Sequence, residues 1–154
     1  MKKIIALILV VVCVSACTTT TETNNQGMQA QKNNILWRSK SVTATLTSSS
    51  HLIVTGYTEN ETLTIDLANF LTGEYAIGGT NSSKVGFEYT NENGMYSYTS
   101  VGATPLGKVI ITKNKDGMVS GTFYFYTKNT ATGTSLEPAA TNFQYGAFFD
   151  IPLQ

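Results

Sequence analysis

From Ile35 onward, apolar and polar residues alternate with a period of two. Leu63, Ile65 and Leu67 alternate with Thr62, Thr64 and Asp66, and Val85, Phe87 and Tyr89 with Lys84, Gly86, Glu88 and Thr90. The same holds for Val42, Ala44 and Leu46, and for Val119, Gly121, Phe123 and Phe125 against Ser120, Thr122, Tyr124 and Tyr126. Such alternation puts one row of side chains in a core and the other in water, which is the mark of half-buried strands. No long window carries a helical stripe. Turn-forming residues fall between the runs: Ser48-Ser49-Ser50, Glu59-Asn60, Gly78-Gly79, Asn93-Gly94, Asp116-Gly117 and the neighbourhood of Gly133. Asn93-Gly94 is expected to be a two-residue hairpin loop, because both residue types tolerate φ > 0.

The runs predict about nine strands, near residues 36–46, 51–58, 61–68, 74–77, 84–90, 95–101, 107–113, 118–128 and 141–151. Short connections favour antiparallel neighbours. The expected fold is therefore all-β, an antiparallel β-sandwich spanning residues 35–154. A closed up-and-down, lipocalin-like β-barrel is the alternative, since both forms protect strand edges and periodicity does not separate them.

The chain begins differently. Met1-Lys2-Lys3 leads into Ile4–Val14, an uncharged apolar stretch too short to span a bilayer, which needs about 20 residues as a helix. A charged start, a short apolar stretch and small residues form the layout of a secretory signal peptide, here residues 1–16. Val14-Ser15-Ala16-Cys17 resembles the lipobox of bacterial lipoproteins. That resemblance implies cleavage before Cys17 and fatty acylation, with palmitate or a similar chain, of its thiol and new amino group. Two or three fatty chains anchor a protein stably, whereas one holds it only marginally. Residues 17–34 follow as the lipidated Cys and a tether rich in Thr, Asn and Gln, too polar to offset its own ordering entropy. As a flexible coil it would reach roughly 20 to 25 Å. Thr18 after the anchor, in place of an Asp, favours the bacterial outer membrane, with the leaflet open between periplasmic and surface sides.

Composition narrows the chemistry. Ten Lys plus Arg balance ten Asp plus Glu, and charged residues are only 13% of the chain, so no basic surface exists to track a phosphate backbone. No nucleic acid is expected as a partner. Cys13 lies in the part removed, so the mature domain has no free thiol for a disulfide, a metal site or thiol catalysis.

Between residues 35 and 154, four stretches taken together resemble an uncharacterised family of small lipoproteins common in Bacteroidota, defined only as a domain of unknown function. They are Trp37-Arg38, Gly73-Glu74-Tyr75-Ala76-Ile77, Gly107-Lys108-Val109-Ile110-Ile111-Thr112, and Val119-Ser120-Gly121-Thr122-Phe123-Tyr124-Phe125 with Thr141-Asn142. The resemblance implies an all-β lipoprotein and imports no catalytic residue.

His51 is the single histidine, and one histidine cannot by itself build a zinc site or a triad. It is read as a strand-edge or turn residue. Asp66, Glu74, Glu88, Glu137 and Asp150 are the carboxylates to weigh for paired acid and base chemistry, and outward-facing sheet positions explain Asp66 and Glu88. No calcium loop, phosphate loop or Gly-x-Ser-x-Gly elbow is present. Neither a metal nor a cofactor is expected. Tyr124 and Tyr126 lie opposite Phe123 and Phe125, and Tyr96, Tyr98 and Tyr89 fall nearby if the hairpin pairs as drawn. Exposed Tyr rows suit sugar rings or a peptide strand. The same rings equally suit cross-strand pairing within the sheet. The expected function is a non-catalytic binding or interaction module at the outer membrane, with a glycan, a peptide or an envelope protein as partner. A barrel carrying a small ligand and a carboxylate-dependent hydrolase are the alternatives.

Overall fold

The computed structural model describes residues 26–100, 102, 104–131 and 137–154, and Cys17 and the signal segment lie outside these. Eleven strands follow one another: β1 (Gly27–Lys32), β2 (Ile35–Arg38), β3 (Ser41–Leu46), β4 (Leu52–Tyr57), β5 (Glu61–Leu67), β6 (Gly73–Gly78), β7 (Lys84–Asn91), β8 (Gly94–Thr99), β9 (Pro105–Lys115), β10 (Met118–Asn129) and β11 (Ala140–Pro152). The described residues form no helix. All strands belong to one sheet with antiparallel pairings, whose main path runs β2-β1-β11-β10-β8-β7-β5-β4-β3. β10 forks: its first eight positions pair with β9, which carries β6, and its last two pair with β8 at Lys128↔Thr99 and Asn129↔Tyr98.

The fold is all-β, as the alternation predicts, and takes the form of a curled half-barrel. The curl brings the β3 end of the path round to the C-terminal end of β11, where the Gln154 amide donates to the Ala44 carbonyl at 2.9 Å and the Leu46 amide to the Gln154 carbonyl at 3.1 Å. Inside, the buried rows of both halves meet. Phe143 of β11 contacts Phe87 of β7 at 5.2 Å, Phe125 of β10 at 5.4 Å and Trp37 of β2 edge-on at 6.1 Å. Leu52, Val54, Leu63, Ile65, Val109 and Ile111 complete a side-chain-filled interior. At its end Lys32 points inward over the Phe87 and Tyr89 rings, and its ammonium pairs with Glu61 of β5, tying the β1 side to the β5 side.

Four details correct the sequence reading. First, Gly27–Lys32 is a strand, not tether: Met28 and Ala30 are buried and alternate with Gln29 and Gln31. The ladder to β11 and the burial of Met28 supply what the polar composition hides, so the domain begins by Gly27 rather than at Ile35. Second, the expected strand 36–46 is two strands, because the chain leaves β1 for β4 at Ser39 and Lys40; the Ser39 amide donates to Met28 and the Lys40 amide to Tyr57. Third, the loop of the β7–β8 hairpin is Glu92-Asn93, one residue earlier than Asn93-Gly94, since Asn91 pairs with Gly94. The Asn91 side chain accepts from the Asn93 amide at 2.8 Å and turns the chain itself. Left-handed two-residue turns occur instead at Asn33-Asn34, with φ of 49° and 67°, and at Asp116-Gly117, with φ of 56° and 71°.

The fourth concerns β11. Phe143, Phe148 and Ile151 all face the core, yet their spacings of five and three break a period of two. Two bulges restore the parity. Between the pairs Phe125↔Phe143 and Phe123↔Gly146, Gln144 and Tyr145 together oppose Tyr124. Between Gly121↔Phe148 and Val119↔Ile151, Phe149 and Asp150 together oppose Ser120. Each bulge contains a left-handed non-glycine residue, Tyr145 at φ 50° and Asp150 at φ 44°.

Candidate functional site

The expected tyrosine set divides between the two faces of the sheet. Tyr96 and Tyr98 share the inward face of β8 with their partners Tyr89 and Phe87 of β7. Tyr98 is buried at 3% exposure, its ring 5.6 Å from Phe87. Burial, and then the nearby Glu137 carboxylate, push its hydroxyl above the usual tyrosine range. Tyr98 is thus a core residue, and Tyr96 stacks on Tyr89 at 6.5 Å at the half-buried end of the interior. The reason is parity: β8 joins β7 with Tyr98 opposite the core residue Phe87, so both β8 tyrosines turn inward.

Tyr124 and Tyr126 do face outward, at 52% and 48% exposure. The bulge adds a third ring that the alternation missed. Strict alternation from Phe143 would send Tyr145 inward. The extra residue at Gln144-Tyr145 turns it out instead, to 79% exposure directly across from Tyr124. A bulge re-aims side chains in this way, and bulges are common beside functional sites. The next residue must be glycine, because a methyl group built on Gly146 would overlap the Phe123 ring beneath it. Around the two rings lies an open groove of about 420 Å³ lined by Lys108 and Ile110 of β9, Thr122 and Tyr124 of β10, and Gln144, Tyr145 and Ala147 of β11. Lys108 donates to Glu74 of β6 at 2.7 Å, which raises the Lys108 pKa above the ordinary lysine value. The sequence held one signal for this site, the five-residue spacing of Phe143 and Phe148 around Tyr145-Gly146.

A second groove, of about 490 Å³, lies where the chain enters the sheet and carries one exposed ring, Phe149, among Gln26, Gln29, Arg38 and Asp150. Arg38 there donates to Gln29 at 2.9 Å. A third, of about 280 Å³, brings Asp66, Lys84 and Glu88 to one outward face. Asp66 lies opposite Lys84, and Glu88 stands four residues further along β7, about 13 Å at the rise of an extended strand. Paired carboxylates of glycoside hydrolysis stand about 5 to 9.5 Å apart, closer than the backbone positions that carry these two. His51 Nδ1 lies 2.8 Å from Asp66 Oδ1, so the histidine sits against β5, and its backbone amide donates to Thr47 Oγ1 at 3.1 Å. Glu137 accepts from the Asn91 side-chain Nδ2 at 2.8 Å. Among the described residues, no three His, Cys, Asp or Glu gather to hold a metal ion.

Asp150 belongs to the second bulge. Its amide donates to Ser120 Oγ at 2.9 Å, and its carboxylate accepts from Lys113 at 2.6 Å and from the Ser120 hydroxyl at 3.1 Å. The Lys113 bond first, and the Ser120 bond next, hold its carboxyl below the usual aspartate range. A pKa depressed on folding contributes stability that is present above the unfolded value, about 3.9, and lost as pH falls through the folded value. We therefore expect Asp150→Asn to be less stable than the wild type at pH 6 and for that gap to shrink below about pH 4. Urea unfolding across that range checks it. A gap that stays constant to pH 2 would mean the carboxylate charge contributes nothing.

The outward aromatic groove lies on the curled antiparallel sheet of an all-β domain. The chain belongs to the family described as a domain of unknown function (DUF6252), whose profile matches residues 24–152. That match includes β1, in keeping with the earlier start of the domain. No curated protein and no solved structure matches the chain.

Proposed function

We propose that this protein is a lipoprotein of the bacterial outer membrane, anchored through Cys17, that works as a non-catalytic binding module through its Tyr124–Tyr145 groove. The observation that carries the binding role is the bulge that holds the Tyr145 ring in water opposite Tyr124. A left-handed non-glycine residue costs about 1–2 kcal/mol, and such strain is concentrated at working surfaces. Two features support binding over catalysis or internal carriage: the separation of Asp66 from Glu88 and the ring-filled interior. The anchoring rests on the lipobox-like Val14-Ser15-Ala16-Cys17.

The corrected domain start also sets how far the module stands from the membrane. Ten residue steps separate Cys17 from Gly27, a span of at most about 35 Å even when fully extended. The domain thus works close to the headgroups. The test is metabolic labelling of the full chain with an alkynyl palmitate analogue, followed by membrane fractionation. Wild type is expected in the outer-membrane fraction with label, and Cys17→Ser without label and outside that fraction. An unlabelled wild type would overturn the anchoring.

A further inference from the structure

Resting on that reading of the groove, we propose that its ligand is a neutral saccharide. The backbone beneath the groove has little left to offer. β10 is paired with β9 and β11, β11 with β10 and β1, and β9 with β10 and β6. A peptide that adds to a sheet takes its affinity from main-chain hydrogen bonds at a free edge, and this groove runs across a face between paired strands. Side chains are what it presents. Ile110 and Ala147 give an apolar floor on either side of Thr122, one step along the sheet from the Tyr124–Tyr145 pair, and Thr122 and Gln144 give a hydroxyl and an amide. A tyrosine ring offers apolar area to the C–H face of a pyranose and a hydroxyl to its oxygens.

Charge decides between saccharide classes. Lys108 is the one cation among the lining residues, and its ammonium is engaged by Glu74 at 2.7 Å. A carboxylated or sulfated sugar would bring its charge up beside the Glu74 carboxylate that already neutralises Lys108. Planar, bidentate recognition of an anionic group favours an arginine, and the lining residues include none. A neutral sugar meets the groove as it stands.

The test uses the full-length lipoprotein in detergent micelles on a microarray of neutral and acidic saccharides, with a parallel array of extended peptides. The variants are Tyr124→Ala and Tyr145→Gly, with Tyr57→Ala as an exposed tyrosine outside the groove. Glycine adopts the left-handed bulge without strain, so Tyr145→Gly removes the ring and keeps the fold. Retention on neutral saccharides is expected, weakened about tenfold or more by either groove variant, as for an aromatic hot spot, and unchanged by Tyr57→Ala. Tyr145-dependent retention on acidic saccharides or on peptides alone would overturn the neutral saccharide and leave the binding face standing. Retention on neither array, or retention indifferent to both groove variants, would overturn the saccharide and the binding face together.

Discussion

Replacing Phe143 with alanine is expected to lower the free energy of unfolding by about 3–5 kcal/mol, the range for losing a fully buried phenylalanine. Phe143 is completely buried and is where the halves of the curled sheet touch. Its ring meets Phe87 at 5.2 Å from the β7 side, Phe125 at 5.4 Å from β10 and Trp37 at 6.1 Å from β2. Removing it opens a void bounded by three other rings. These rings stand on three different strands of a hydrogen-bonded sheet, so the void cannot close by moving one side chain. Aromatic pairs also contribute about 0.5–1.5 kcal/mol beyond the area they bury, and three such contacts are lost. Urea denaturation followed by tyrosine and tryptophan fluorescence gives the number. Tyr145→Ala, two residues away on the outside, should change stability by no more than about 0.5 kcal/mol, as for most surface substitutions. A Phe143→Ala cost below about 1 kcal/mol would mean that the two halves are not joined through this ring.

The contrast between Phe143 and Tyr145 also marks the limit of what the sequence shows. Where each strand keeps its parity, the alternation is enough: β5 and β7 bury Leu63, Ile65, Val85 and Phe87 as read, and Thr64 and Glu88 face outward. It fails where a strand changes parity or where apolar content is thin. In β11 the inward set Phe143, Phe148, Ile151 makes sense only once two extra residues are allowed for, and no local residue type announces a bulge with Tyr at the left-handed position. In β1 the buried pair is Met28 and Ala30 among glutamines, and their burial comes from the ladder to β11, more than a hundred residues away in sequence. Tyr98 shows a third limit. Its amphipathic ring reads equally well as surface or core, and only the pairing with Phe87 assigns it inward. The groove inherits all of this, since Tyr124 was legible while Tyr145, Gln144, Ile110 and Lys108 depend on which strands lie side by side.

Gly107→Ala should be nearly as damaging as losing Phe143, for the opposite reason. A methyl group at Gly107 would overlap the Tyr124 carbonyl and the Phe125 Cα of the neighbouring strand. These are backbone atoms, so no rotamer change relieves the overlap, and β9 must part from β10 around the pair Gly107↔Phe125. Overpacking of this kind costs about 1–3 kcal/mol, and rigid backbone neighbours place this case at about 3. The damage has a direction as well as a size. β9 and β6 lie off the main path and join it by ladder pairing only through β10, so a separated β9 takes β6 with it. Amide exchange should therefore quicken in β6 and β9 far more than in β4 and β5. Gly86→Ala supplies the control, because nothing lies within 4 Å of its added methyl and its backbone is not left-handed. Alanine there should be neutral or stabilise by up to about 1 kcal/mol. Because Lys108 and Ile110 ride on the same arm and line the groove, Gly107→Ala should also weaken any ligand held in it while Gly86→Ala does not. Uniform exchange across both arms would show instead that the sheet yields as a single unit and that β10 is not the hinge of the groove.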